Sequence, residues 1–235
     1  MSEQMIVSEF ANPFHQAIKE AASNPEPRCP SLLLLDVSGS MAGERIKQLI
    51  SGLRIYQSEL AADPIARKKV EVAVVTFGEK VEVIQDFTVA PSWSIPEMNA
   101  DGATPMAEAI VTGLELLESR KRFLRSGGLE IHRPWVFLIT DGEPTDREGH
   151  DWDMARRMLL EGQKDGSFLF FAVGVEGANM DVLGELSQVV SPMNLKGVKF
   201  RELFQWLSAS QKSVAASRPG DKLKLALPPC IEIES

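Results

Sequence analysis

The chain has few of the residues from which thiol or imidazole chemistry is built. Cysteine occurs twice, at Cys29 and Cys230, and histidine three times, at His15, His132 and His150, scattered without metal-ligand spacing. The two cysteines read as lone thiols in a reducing compartment rather than as a disulfide, and each histidine reads as structural or surface-exposed. Positive charge is also short. Against 33 Asp and Glu stand 25 Lys and Arg, a formal net charge of -8, which argues against a nucleic-acid surface. The cluster Lys121, Arg122 and Arg125 follows a helical run and reads as a solvated helix end. Long apolar runs are missing: LLLLDV and FLFFAVGV are strand-length and far short of a membrane span. The opening MSEQMIVSEF has no basic region followed by an apolar run, so no secretory signal is expected. A cytoplasmic protein with neither membrane nor nucleic acid as partner is the expectation. Neither GxxxxGK[ST] nor GxGxxG occurs, which removes the common phosphate-cradling turns.

What is present is a regular alternation of apolar strands and amphipathic helices. Residues 1–30 form a proline-punctuated lead-in with a short helix around Phe14–Ala22. SLLLLDV (Ser31–Val37) runs apolar without alternation, as a strand covered on both faces does. VEVAVVTFG (Val70–Gly78) reads as a second strand, PWVFLIT (Pro134–Thr140) as another buried-type strand and SFLFFAVGV (Ser167–Val175) as a further strand. KVEVIQDF (Lys80–Phe87) alternates and follows its neighbour closely, which predicts an antiparallel hairpin at a sheet edge. Helical periodicity marks Gly43–Ala62, Pro105–Arg122, Met154–Gln163, Met180–Gln188 and Phe200–Ala215, and a short strand is expected around Val190–Asn194. The pattern predicts a three-layer, doubly wound, Rossmann-like α/β fold. Its central sheet is mostly parallel with one antiparallel edge strand, and helices cover both faces. Residues 31–215 make up the domain and 216–235 a C-terminal tail whose LKLALPP stretch docks on the body or adds an extended segment.

Right-handed crossovers bring the strand C-termini to one rim, where open α/β sheets bind ligands. Three polar segments fall there. Asp36-Val37-Ser38-Gly39-Ser40 ends the first strand, Gly102-Ala103-Thr104-Pro105 opens a helix, and Asp141-Gly142 follows a buried strand. Asp36, Ser38, Ser40, Thr104 and Asp141 are all hard-oxygen donors, which disfavours zinc and suits Mg2+ or Mn2+, with Ca2+ a poorer fit. Two carboxylates neutralise a divalent ion, while neutral hydroxyls leave it enough field to attract the Asp or Glu carboxylate of a partner protein.

This three-part pattern resembles the metal-ion-dependent adhesion site of von Willebrand factor type A domains. The resemblance covers roughly Ser31 to Ala215. It implies that Ser38, Ser40 and Thr104 contact the metal directly in the ligand-engaged form, while Asp36 and Asp141 act through water. CPSLLLLDVSGSMAGERIKQLISGL, GATPMAEAI, WVFLITDGEPTD and KFRELFQWLSASQKSVAASRPGD are more narrowly similar to the bacterial cytoplasmic TerY-like tellurium-resistance group. That likeness implies a scaffold or sensor role in a stress-response system.

Other readings of the same residues are a metal-dependent phosphohydrolase and a structural interaction module whose metal site is not functional. The first would need an acid-base aspartate two residues after Asp36, where Ser38 stands, so a non-enzymatic binding domain is expected. The acidic stretch Glu143, Asp146, Glu148, Asp151 and Asp153 reads as a solvated loop or a partner surface. Trp93 and Met98 either form part of a docking face or pack their long loop down. Phe77 reads as core, and Trp206 as core or a helix-docking residue.

Overall fold

The computed structural model describes residues 13–223 and 230–232. MSEQMIVSEF and all of LKLALPP after Leu223 lie outside the described residues. Three strands are buried along their whole length: β1 (Cys29–Asp36), β2 (Val70–Phe77) and β4 (Trp135–Thr140). Such runs cannot alternate, because both sheet faces are covered. β3 (Val81–Val89) is largely half-buried or exposed, as an edge strand can be. Together with β5 (Leu169–Gly174), β6 (Met193–Leu195) and β7 (Ile231–Glu232) they form one sheet in the order β3-β2-β1-β4-β5-β6-β7. Pairings from β2 through β6 are parallel, and β2–β3 is antiparallel.

Side-chain alternation sends Leu33 and Leu35 of β1 to one face and Leu32 and Leu34 to the other, into two separate cores. On the first face lie α2 (Glu44–Ala62) and α7 (Phe200–Ala216). Ile46, Leu49, Leu53, Tyr56 and Leu60 of α2 are buried at three- and four-residue spacing, packed with Leu203, Phe204 and Leu207 of α7. Phe137 and Phe171 stack at 4.6 Å, and Trp206 lies against both and against Trp135, so it is the helix-docking residue its spacing predicts. The opposite face carries α4 (Met106–Ser126), α5 (His150–Lys164) and α6 (Met180–Leu186). α1 (Pro13–Ser23) lies against α4, and α3 (Ala66–Lys69) is one turn leading into β2.

The N-terminal ends of the strands are tied by charge. Arg28 Nε donates to Glu71 Oε1 at 2.9 Å, and Arg120 Nε donates to Glu71 Oε2 at 2.9 Å. Arg120 also pairs with Glu20 of α1. Arg28 and Glu71 are 1% and 2% exposed, so this is a buried network in which each charge depends on the others.

Several details depart from the sequence reading. A second antiparallel strand, β7, pairs with β6 at the edge opposite β3, with Lys196 N–H donating to the Cys230 carbonyl at 3.1 Å. It pairs one side of β6 that would otherwise be an open edge. β6 lies three residues later than expected at its start. α5 begins at His150 rather than Met154, so Asp151 and Asp153 occupy its first turn, where acidic groups meet the positive end of the helix. Lys121 is not part of a solvated end: it is 4% exposed and paired with Glu118.

Candidate functional site

Parallel pairing puts the ends of β1, β2, β4 and β5 side by side. Asp36 sits opposite Phe77, Leu35 opposite Ile139, and Thr140 opposite Gly174. The chain leaves β1 through a short 3-10 turn at Gly39–Met41, with buried Ser38 capping its start and Ser40 exposed within it. The loop before α4 reaches the same place because Gly39 N–H donates to the Gly102 carbonyl at 3.1 Å and Asp101 N–H to the Val37 carbonyl at 2.9 Å. Gly102 is required there. Its φ is +77°, and a side chain would begin 2.4 Å from Glu79 Cα. The loop after β4 is bound to this one, with Thr104 N–H donating to Thr145 Oγ1 at 3.2 Å and Thr145 N–H to the Thr104 carbonyl at 3.0 Å.

The five residues picked out by spacing therefore meet. Ser38 Oγ and Ser40 Oγ are 3.0 Å apart, and the Ser40 hydroxyl donates to Asp141 Oδ1 at 2.7 Å. Ser38 N–H donates to Asp36 Oδ1 at 2.8 Å. A side chain on Gly142 would start 3.4 Å from Thr104 Oγ1, 3.7 Å from Ser40 Oγ and 3.8 Å from Asp36 Oδ2. Glycine at 142 thus leaves open a small polar cradle. Asp36, Ser38, Thr104 and Asp141 are buried, and Ser40 is exposed at the mouth.

Burial pushes the Asp36 carboxyl above its ordinary value. Hydrogen bonds from Ser38 and Thr140 pull the other way, and the charge on Asp141 adds to the rise. Asp36 Oδ2 accepts from the Thr140 hydroxyl at 2.5 Å. Asp141 is held on its outer oxygen by Arg45, whose guanidinium also donates to the carbonyls of Ser40 at 3.1 Å and Glu176 at 3.0 Å. Arg45 and Thr140 were not singled out by sequence spacing. A signal for Arg45 exists: it sits in the first turn of α2, where the helix dipole disfavours a cation unless something else holds it.

The donor chemistry fits a hard divalent ion: two carboxylates and three hydroxyls line one cradle with no sulfur or imidazole among them. Among the described residues no group of three or more His, Cys, Asp or Glu side chains is gathered; the rim has two acids and relies on hydroxyls for the rest. Beside it a groove of about 320 Å³ is lined by Val37, Thr76, Glu79, Lys80, Glu82 and Asp101.

Other candidates fall elsewhere. Trp93 and Met98 are 3% and 9% exposed and pack their loop onto the α2 face, and Phe77 is core. Glu143 accepts from the Asn179 amide at 2.6 Å, and Asp146 accepts from Glu108 N–H at 3.0 Å, fixing the first turn of α4. His132 is buried ahead of β4, and His15 and His150 are exposed. Both cysteines are free and buried.

The von Willebrand factor type A domain model matches residues 31–143. Solved structures extend the likeness across most of the chain. The pilus adhesin SpaC of Lactobacillus rhamnosus GG aligns with TM-score 0.61 and 14% identity, over 80% of this chain and 30% of that one. The vWF domain of the type V pili tip protein Mfa5 of Porphyromonas gingivalis gives 0.60 and 10%, over 84% and 99%. The ArnB paralog VWA2 of Sulfolobus acidocaldarius gives 0.53 and 17%, over 77% and 44%. The chain spans less than half the length of SpaC, of VWA2 and of the mussel byssus protein PTMP1. No curated protein matches the chain.

The fold is that of the von Willebrand factor type A domain, and nothing in the comparisons singles out the TerY-like group. The cytoplasmic expectation is overturned: SpaC, Mfa5 and the minor pilin PilB of Streptococcus sanguinis, which share the fold, are pilus components. Ser38 bonds to Ser40 and Ser40 to Asp141, so neither hydroxyl is paired with an imidazole there.

Proposed function

We propose that the chain is a protein-binding module that docks its partner on the rim formed by the ends of β1 and β4 and the loop before α4. In this reading Ser38, Ser40, Thr104, Asp36 and Asp141 hold a divalent ion, Mg2+ or Mn2+. The observation that carries it is the meeting of hydroxyls and carboxylates from three distant segments around the space left by Gly142. A bound ion would supply positive charge with a coordination place for an Asp or Glu carboxylate of the partner. The chain's own part is to exclude bulk from the cradle, hold both carboxylates by hydrogen bonds, and leave Ser40 at the open mouth.

A second reading has its own observation. Arg45 already gives Asp141 a counter-charge, which favours an interaction module that binds without metal. The sequence Lys199–Asp221, which forms α7 and the turn after it, supports a place in the TerY-like group and a role in a tellurium or stress response, as part of the same proposal. Calorimetric titration with Mn2+ separates the readings. Binding that is lost in Thr104→Ala and Asp36→Ala, in proteins that keep their circular dichroism, is the expected result. No heat and no thermal stabilisation at saturating ion would overturn the metal reading and leave metal-independent docking.

A further inference from the structure

Arg45 is the second residue of α2 and reaches across three rim loops. It pairs with Asp141 after β4, donates to the Ser40 carbonyl after β1 at 3.1 Å, and donates to the Glu176 carbonyl after β5 at 3.0 Å. Its side chain is 30% exposed while that of Asp141 is fully buried. A guanidinium fixed on a buried carboxylate is a strong, oriented contact. It occupies one of the two acids that an ion at the cradle would also need.

We infer that Arg45 is a built-in counter-cation that opposes the divalent ion at Asp141 and thereby sets how tightly the rim holds it. The inference rests on the metal reading above. Two carboxylates and one guanidinium leave the ion-free rim with a single negative charge, low enough to be stable in a buried site. With a divalent ion added, the rim carries a single positive charge, which one carboxylate neutralises. Arg45 thus weakens the hold on the ion alone and favours the state in which an acidic side chain joins it, because the coupling between the two ligands is reciprocal. Arg45 acts through Asp141 and is a positioning residue for it.

The test is Mn2+ affinity, measured by calorimetry and by the paramagnetic resonance signal of free Mn2+, for the wild type, Arg45→Gln and Arg45→Lys, each checked by circular dichroism. Removing a unit charge beside the site should tighten Mn2+ binding in Arg45→Gln on the order of tenfold. Arg45→Lys, which keeps the charge, should stay near the wild type. Equal affinity in Gln and wild type, or weaker binding in Gln, would overturn the inference while leaving the metal reading intact. Tightening in both variants would assign the effect to the lost contacts with Ser40 and Glu176, and would also overturn it. Absence of binding in all three would remove the metal reading and the inference with it.

Discussion

Gly142→Ala isolates the cradle from the fold that carries it. The backbone at 142 is not in the left-handed region, and the added methyl would meet Thr104 Oγ1, Ser40 Oγ and Asp36 Oδ2 at 3.4, 3.7 and 3.8 Å, ordinary contact distances. No neighbour must move, so the ion-free protein should lose nothing. Restricting the unfolded chain should add about 0.4–1 kcal/mol, a rise in Tm of about 1–4 °C for a domain of this size. Ion binding should suffer. Mg2+ and Mn2+ demand oxygens at close range and an ordered set of waters, and a methyl among three of the donor oxygens takes that space. A loss of at least tenfold in Mn2+ affinity, about 1.4 kcal/mol, is expected by calorimetry, alongside unchanged or raised Tm without ion. A fall of several degrees in the ion-free Tm would show that the cradle is packed rather than open. Unchanged Mn2+ affinity would show that the donor oxygens around Gly142 are not where the ion sits.

Two further outcomes follow from the body of the domain. Glu71→Gln leaves Arg28 buried beside a neutral amide, and denaturant unfolding should register a loss of about 3–5 kcal/mol with Mn2+ affinity unchanged; a loss under 1 kcal/mol would refute the reading of that network. Burial pushes the Cys29 thiol from 9.0 up to about 12 and also raises Cys230. Neither should react with a disulfide reagent in the native protein, and both should after denaturation. Between pH 9 and 12 the unfolded Cys29 ionises while the folded one does not, so this residue lowers stability as pH rises through that window. Fast native labelling would contradict it.

Much of this molecule is legible in one dimension. β1 and β4 declare themselves by their apolar runs, β2 by its β-branched composition, β3 by its alternation, and the helices that bury Ile46, Leu49 and Leu53 or Met106, Ile110 and Leu114 by their spacing. Because parallel strands order their ends along one rim, Asp36 and Asp141 could be placed together before any distance was measured. What escaped depends on long-range partners. Arg45 looks like any exposed helical arginine until Asp141 is seen beside it. Lys121 reads as surface until Glu118 and its burial are known. β7 is two residues long and has no pattern of its own; only β6 gives it meaning. Trp93 and Met98 could not be assigned from their loop, because burial under Tyr56 and α2 is a tertiary fact.

The placement of the charged network has a consequence for how such a domain changes over time. Arg28, Glu71, Arg120 and Glu20 clasp the strands at their beginnings, while Ser38, Ser40, Thr104 and Asp141 stand at their ends, about 20 Å away by strand rise. Substitutions in the rim loops that leave the glycine turns intact are therefore far from the buried charges whose loss would most destabilise the chain. One end can vary while the other stays under constraint, so the same scaffold tolerates many different rims.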